Sequence, residues 1–405
     1  MAAMRLRLSL IAVCLSASVT LFAQVRYRPA ETGPWRPWTF TAIDQARRSR
    51  SASAIEVQAF QTRLQELAAI IKRAPGVSPP VGFAGEVWGS LTGHDPDAGR
   101  PGSAIPLAGN LAFGAFPLVE YTRGGRLVNE DLKGGETDLL LFTVNELGGR
   151  MYGTTKPAEW SEVQLDAFVE PATGSTVAGL PRIGDVFVVR KNTKPLWVPL
   201  PVVDALKPIQ TTRRTTFEQT RDAYAKNAAE FAEWKSAPKR AVRRADWQKT
   251  AASIPNGAEF VANMEKSDRE IEVAKEAQLA AGGPEERSVR QAERELQEVD
   301  GIVAALSPDG QNAPSCYDRS ASRLADRFRA LSGASSSCRP LVRPNLDYFD
   351  AKLPRSSPQV LMISMFTPCL RPESVAATTP RGGCVINRAL VDSMDWDAVR
   401  AWLDR

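Results

Sequence analysis

From Val202 to Leu306 the chain is charge-dense, punctuated by proline and patterned for helix throughout. This stretch restricts the architecture more than any other. Phe217, Tyr224 and Phe231 recur at seven-residue intervals, with Ala228 and Trp234 on the same face. Phe260, Met264, Ile271 and Ala274 are spaced for one face of a further helix, over Ala258 to Ala281. Val289, Ala292, Leu296, Val299, Val303 and Leu306 keep strict three–four spacing, a short coiled-coil seam. Stripes this narrow cannot line a thick core, so the helices must pair with one another as antiparallel hairpins. Pro238, Pro255 and Gly282-Gly283-Pro284 cut the stretch into four pieces. The Gly-Gly-Pro turn predicts that the last two pieces form a hairpin.

The flanks obey other periods. Ser53 and Glu56 form a capping box. Val57, Phe60, Leu64, Leu67 and Ile71 then mark a helix that Pro75-Gly76 ends. From Val81 the period changes to two, through Val81–Trp88, Leu111–Tyr121, Asp138–Glu146, Asp185–Arg190 and Leu196–Val198. Turn residues at Gly124-Gly125 and Lys191-Asn192-Thr193 separate such runs, Gly148-Gly149 ends one, and no helix intervenes. Toward the C-terminus, 321–331 reads as helix and Val360–Phe366 as a strongly apolar strand. Asp395 is placed to cap a final helix carrying Trp396, Val399 and Trp402.

The expected fold is α+β. A signal peptide (1–23) precedes an extended Pro/Trp leader and amphipathic helix (24–79), which pack on an antiparallel β-sandwich or barrel-like domain (80–201). A charged helical-hairpin connector (202–306) and a small disulfide-stapled α+β unit (307–405) follow.

Arg5 and Arg7 ahead of the apolar run Leu8–Phe22, with Ala23 before Gln24, give the pattern of a secretory signal; the run is short of the roughly 20 residues a span needs. No later segment is long enough to cross a bilayer. Removing residues 1–23 lowers the formal charge from +5 to +3, too little for a dedicated nucleic-acid binder. The remaining cysteines, Cys316, Cys338, Cys369 and Cys384, are even in number. In an oxidising compartment they read as disulfides, Cys316–Cys338 and Cys369–Cys384 by shortest loops, in preference to a zinc site without any C-x-x-C pair.

His94 is the sole histidine. That removes most general-base, triad and histidine-ligated metal chemistry. His94, Asp95 and Asp97 share a loop as candidate metal ligands, but an EF-type calcium loop would need an oxygen ligand and a glutamate where Gly99 and Pro106 stand. Glu86, Glu120, Glu136, Asp138 and Glu146 are candidate glycosidase carboxylates, against their ordinary role as the solvated face of strands. Trp35 and Trp38 either stack a ligand or pin the leader to its own domain. Lys239, Arg240, Arg243 and Arg244 either contact anionic lipid or polymer or answer the acidic-leaning neighbouring helix Glu285–Asp300.

The expectation is thus an exported, periplasmic or extracellular binding or scaffolding protein without cofactor. Its partner would be another envelope protein or an anionic envelope polymer, not nucleic acid. The alternatives are a histidine-independent hydrolase with a carboxylate pair in the β domain, and a cell-envelope tether through 239–244.

Overall fold

A computed structural model describes residues 26–42, 52–92, 105–123, 126–131, 139–147, 155–160, 165–174, 176, 178–184, 186–332, 337–365 and 383–404. The elements run β1 (Arg26–Tyr27), β2 (Thr39–Thr41), α1 (Ala54–Lys72), β3 (Phe83–Leu91), β4 (Gly109–Arg123), β5 (Arg126–Asp131), β6 (Leu140–Val144), β7 (Phe168–Val169), β8 (Arg182–Ile183), β9 (Val186–Arg190) and β10 (Trp197–Pro199). Then come α2 (Val202–Trp234), α3 (Ala237–Ala251), α4 (Gly257–Leu279), α5 (Pro284–Ala305), β11 (Ser315–Tyr317), β12 (Phe328–Ala330), β13 (Arg339–Pro344), β14 (Val360–Ser364), α6 (Gly383–Ser393) and α7 (Trp396–Asp404).

The chain divides into two compact units that cut across the expected ranges. One gathers the described residues of 1–155, 171–198 and 343–405, the other those of 156–170 and 199–342. The segment 307–405 is therefore shared between the two units.

The first unit is built on a nine-stranded mixed sheet in the order β2-β3-β4-β6-β14-β9-β8, with β1 and β5 also pairing with β4. Pairings within 80–201 are antiparallel, as the alternation requires, and β2 joins β3 in parallel. The described pairings form one run that branches at β4. The C-terminal strand β14 lies in its middle, bonded to β6 and β9. This placement explains the unbroken apolar run at 360–363. Leu361 and Ile363 join the core under the helices, while Val360 and Met362 join a second cluster with Val186, Val188, Tyr348 and Phe349. A strand covered on both faces loses the polar alternation.

Helix α1 follows from its sequence. Ser53 Oγ accepts from the Glu56 amide at 3.2 Å, and the Glu56 carboxylate accepts from the Ser53 amide at 2.8 Å. The stripe Val57, Phe60, Leu64, Leu67 and Ile71 is buried against Val87, Leu111, Phe113 and Phe142 of the sheet. Asp395 caps α7 by accepting from the Ala398 amide at 2.9 Å, and α7 inserts Trp402 into the same core. Trp402 Nε1 donates to Arg63 O at 2.8 Å, so the α1–α7 contact is satisfied as well as apolar.

Asn145 ends β6 in the left-handed region at φ 58°. Its Nδ2 donates to Leu107 O at 2.9 Å and Ser357 O at 3.0 Å, while its Oδ1 accepts from Gln359 N at 2.7 Å and Val360 N at 3.3 Å. One buried side chain thereby fixes the entry into β14.

The second unit has a smaller core: Trp160, Val169, Tyr317, Phe328 and Leu341, the start of α2 (Val202, Ala205, Leu206, Ile209) and the end of α5 (Leu296, Val299, Val303). A five-stranded sheet, β10-β13-β11-β12 with β7 on β13, supports it. The Cys316–Cys338 disulfide links β11 to the segment entering β13. Beside it Asp318 accepts from the Ser320 hydroxyl and the Ser337 hydroxyl, both at 2.6 Å. These bonds, with Arg329 nearby, hold its carboxyl well below the usual range, at about 2. The expected helix at 321–331 is a single turn, Leu324–Arg327, followed by β12. Arg329 lies opposite Cys316 in the ladder, so tertiary pairing overrides the local pattern.

Candidate interaction surface in the second unit

Four helices fill most of the second unit, and their pairing differs from the expected hairpin of the last two. Helix α5 packs antiparallel on α2. Gln210 donates to Asp300 at 2.5 Å, Arg213 pairs with Glu295, and Asn227 donates to Glu285 at 3.1 Å. The Gly-Gly-Pro turn, with Gly282 at φ 78°, delivers α5 to α2 while α4 pairs with α3. Apolar stripes decide this choice, because Leu296, Val299 and Val303 gain a core at the base of α2 that α4 does not offer.

The α3–α4 pair is held differently. Neither helix contains a buried residue, and from Gln210 to Gly282 no position is buried at all. An electrostatic ladder takes the place of a core. Arg240 meets Glu272, Arg243 meets Asp268 at 2.9 Å and Arg244 meets Glu265 at 2.5 Å, while Lys235 at the C-cap of α2 meets Glu276 at 3.3 Å. Falling partner numbers against rising ones make the hairpin antiparallel. Lys239 turns back to Glu233 at 3.0 Å. The rung at Arg243 is the best made. Its guanidinium forks onto both Asp268 oxygens, donates to Trp234 O at 2.6 Å and lies 4.0 Å over the Trp234 ring. That residue ties α2, α3 and α4 together.

Beside the ladder lies an open groove of about 550 Å³. Ala237, Ala241, Ala245 and Trp247 line it, with Arg240, Arg244 and Arg269 balanced by Glu265, Asp268 and Glu272. Val242, Ile271 and Val273 on the same two helices are 58%, 47% and 67% exposed.

The structure thus brings Lys239, Arg240, Arg243 and Arg244 onto one helix and gives each an acidic partner. The sequence raised such complementarity with the acidic stretch Glu285–Asp300, but the partners found are Glu233 of α2 and Glu265, Asp268 and Glu272 of α4. The acidic row Glu265, Asp268, Glu272 and Glu276 was missed, although its three- and four-residue steps place it on a single helix face.

Trp35 and Trp38 lie in the first unit, packed against its core. The Trp35 ring occupies the space a Cβ on Gly85 would need, and Trp38 does the same at Gly89. Arg36 between them binds Glu86 at 2.6 Å and lies 4.0 Å over Phe116, and Lys72 donates to Arg36 O at 3.2 Å. Burial pushes the Lys72 ammonium down, with Glu86 opposing. Two glycines four residues apart on β3 thus seat the leader on the sheet.

Glu86 lies opposite Gly114 and Glu120 opposite Arg26, six residues apart on β4, or about 20 Å along the strand. A glycosidase pair needs roughly 5–10 Å. Glu146 is buried beyond Val144, which faces Gly109 near the other end of β4. The three described carboxylates are not brought together. Glu136, Asp138, His94, Asp95, Asp97 and Cys369 lie outside the described residues, as does the signal-peptide segment. Cys384 is buried and itself disulfide-bonded. Among the described residues no cluster of His, Cys, Asp or Glu could hold a metal ion, and no helix is long and apolar enough to cross a membrane.

No protein-family model, no curated protein and no solved structure matches this chain.

Proposed function

We propose that the protein is an exported binding or scaffolding protein that receives its partner on the distal helices, α3, α4 and the second half of α2. The observation that carries this reading is the absence of any buried position from Gln210 to Gly282. Ordering each residue costs on the order of 1 kcal/mol or more of chain entropy. Exposed ion pairs return only about 0.2–1 kcal/mol apiece. Helices maintained on those terms, with Val242, Ile271 and Val273 facing solvent, suit a surface completed by another molecule.

Export rests on the leader pattern of residues 1–23 and is supported by the Cys316–Cys338 disulfide. The seven-residue spacing in α2 and the seam of α5 support reading their pairing as a short antiparallel coiled coil.

A photo-reactive residue at Val242 or Ile271 of the full-length protein, expressed in its native host, tests the reading. A discrete adduct from these positions is expected, and none from Ile55, which is 81% exposed on α1 of the first unit. Adducts from Ile55 alone would move the binding surface to the other unit. Sequencing the mature N-terminus tests export, with Gln24 as the expected first residue and an intact Met1 in the cytosol as the contrary result.

A further inference from the structure

The turn between α3 and α4 differs in kind from the helices it joins. Thr250 to Ala258 carry no charge, although Lys249 and Glu259 bound them and both helices are charge-dense. Ala252, Ser253, Ile254, Pro255 and Asn256 are all exposed. Asn256 is the N-cap of α4, in the left-handed region at φ 60°, and its side chain makes no cap bond. Gly257 follows, where a Cβ would collide with Ala251 O, so the close approach of the two helix ends requires glycine. Asn256-Gly257 is also the sole Asn-Gly pair in the sequence.

This pair is set up for reaction with itself. No hydrogen bond to the helix end holds the Asn256 carboxamide in place. The Gly257 amide stands at the first position of α4, where an N–H has no acceptor within the helix. Glycine also puts no side chain in the way of its own nitrogen. The bonds that close the turn are local, Ser253 N to Thr250 O at 3.1 Å and Ile254 N to Ala251 O at 3.4 Å, and nothing in the turn is buried. A turn held on those terms opens at small cost.

We propose that Asn256-Gly257 is a site of spontaneous deamidation at the tip of the α3–α4 hairpin. The Gly257 nitrogen gives up its proton and attacks Cγ of Asn256. A C–N bond forms, the Cγ–Nδ2 bond breaks, and ammonia leaves with a proton from water. Water then opens the five-membered imide at one of its two carbonyls. Opening at Cγ yields aspartate, whereas opening at the main-chain carbonyl yields isoaspartate, with the backbone rerouted through Cγ. Either product puts a carboxylate into a stretch of nine uncharged residues. As aspartate it caps α4 and meets the positive end of the helix dipole. As isoaspartate it lengthens the backbone and displaces the carbonyl that accepts from Phe260 N at 3.1 Å, which loosens the first turn of α4. The site goes beyond the binding reading and stands whether or not a partner occupies the distal helices.

Peptide mapping of the full-length protein after incubation in mildly alkaline buffer, with an isoaspartate assay, decides the matter. Aspartate and isoaspartate should accumulate at Asn256 at a rate within about tenfold of that in the urea-unfolded chain, because opening the turn costs little. Asn263, on the same helix and followed by Met264, should stay unconverted. In Asn256→Gln both products should vanish from this peptide, since cyclisation would need a larger ring. Native conversion slower than that tenfold limit would show a turn that stays closed and would overturn the proposal. Conversion at Asn263 equal to that at Asn256 would do the same, because the tip would then have no part in it.

Discussion

Replacing Asn145 by alanine removes a single side chain that bonds to the backbone of Leu107 and of the segment leading into β14. Three of its bonds are well formed, at 2.7, 2.9 and 3.0 Å, and a fourth to Val360 N is longer at 3.3 Å. Each well-formed bond is worth about 1 kcal/mol net, and each buried group left without a partner costs about 1–3 kcal/mol, less where water enters the space. Alanine at φ 58° adds about 1 kcal/mol of backbone strain that asparagine tolerates better. The total is about 3–5 kcal/mol, a large part of the roughly 5–15 kcal/mol that holds a domain together. Denaturant unfolding followed by tryptophan fluorescence reads this directly in the first unit. Asn145→Gly separates the contributions, since it loses the same bonds without the strain and should be about 1 kcal/mol less damaging than alanine. A cost below about 1 kcal/mol for Asn145→Ala would refute the clamp.

Other consequences follow from particular contacts. Cys316→Ala/Cys338→Ala opens a bridge spanning 22 residues, so the second unit should lose about 3 kcal/mol in denaturant unfolding while the first is unaffected. Asp318 has its carboxyl lowered from 3.8 to about 2 by the Ser320 and Ser337 hydroxyls. Its stabilisation is therefore complete above 3.8 and fades as pH falls toward 2, and Asp318→Asn should flatten the melting temperature of the second unit across that window. Arg243→Lys keeps the charge but loses the two-oxygen fork on Asp268 and the stacking over Trp234. It should loosen α3 and α4 by about 1–2 kcal/mol, read as faster local amide exchange without a change in β14.

Local pattern foretold some elements and misled on others, for physical reasons. Helix α1 was legible because cap, stripe and stop all lie within one stretch. Strand β14 was legible as a strand from its apolar run, yet its seat between β6 and β9 was not. The partners lie more than 150 residues upstream, and pairing at that distance leaves no local trace. The same reason explains why 307–405 read as one unit although its two ends belong to different ones. At 321–331 helical spacing yielded to the ladder across Cys316 and Arg329. Gly85 passed as an ordinary strand residue and Gly89 fell just outside the run read as strand, because a glycine's purpose is set by what lies on it, here Trp35 and Trp38. The basic run 239–244 was visible from composition, but its acidic counterpart was sought at Glu285–Asp300, where acids are frequent; the actual row, Glu265, Asp268 and Glu272, is diluted among lysines and arginines and emerges only when charges are read by helix face.

Native-state hydrogen exchange of the full chain without a partner tests the central claim most directly. If the distal helices are completed by another molecule, amides of α3 and α4 should exchange orders of magnitude faster than those of β4, β6 and β14, and those of α3 should slow when the crosslinked partner is added. Protection in α3 and α4 equal to that of β14 would show helices that need no partner, and would contradict the account.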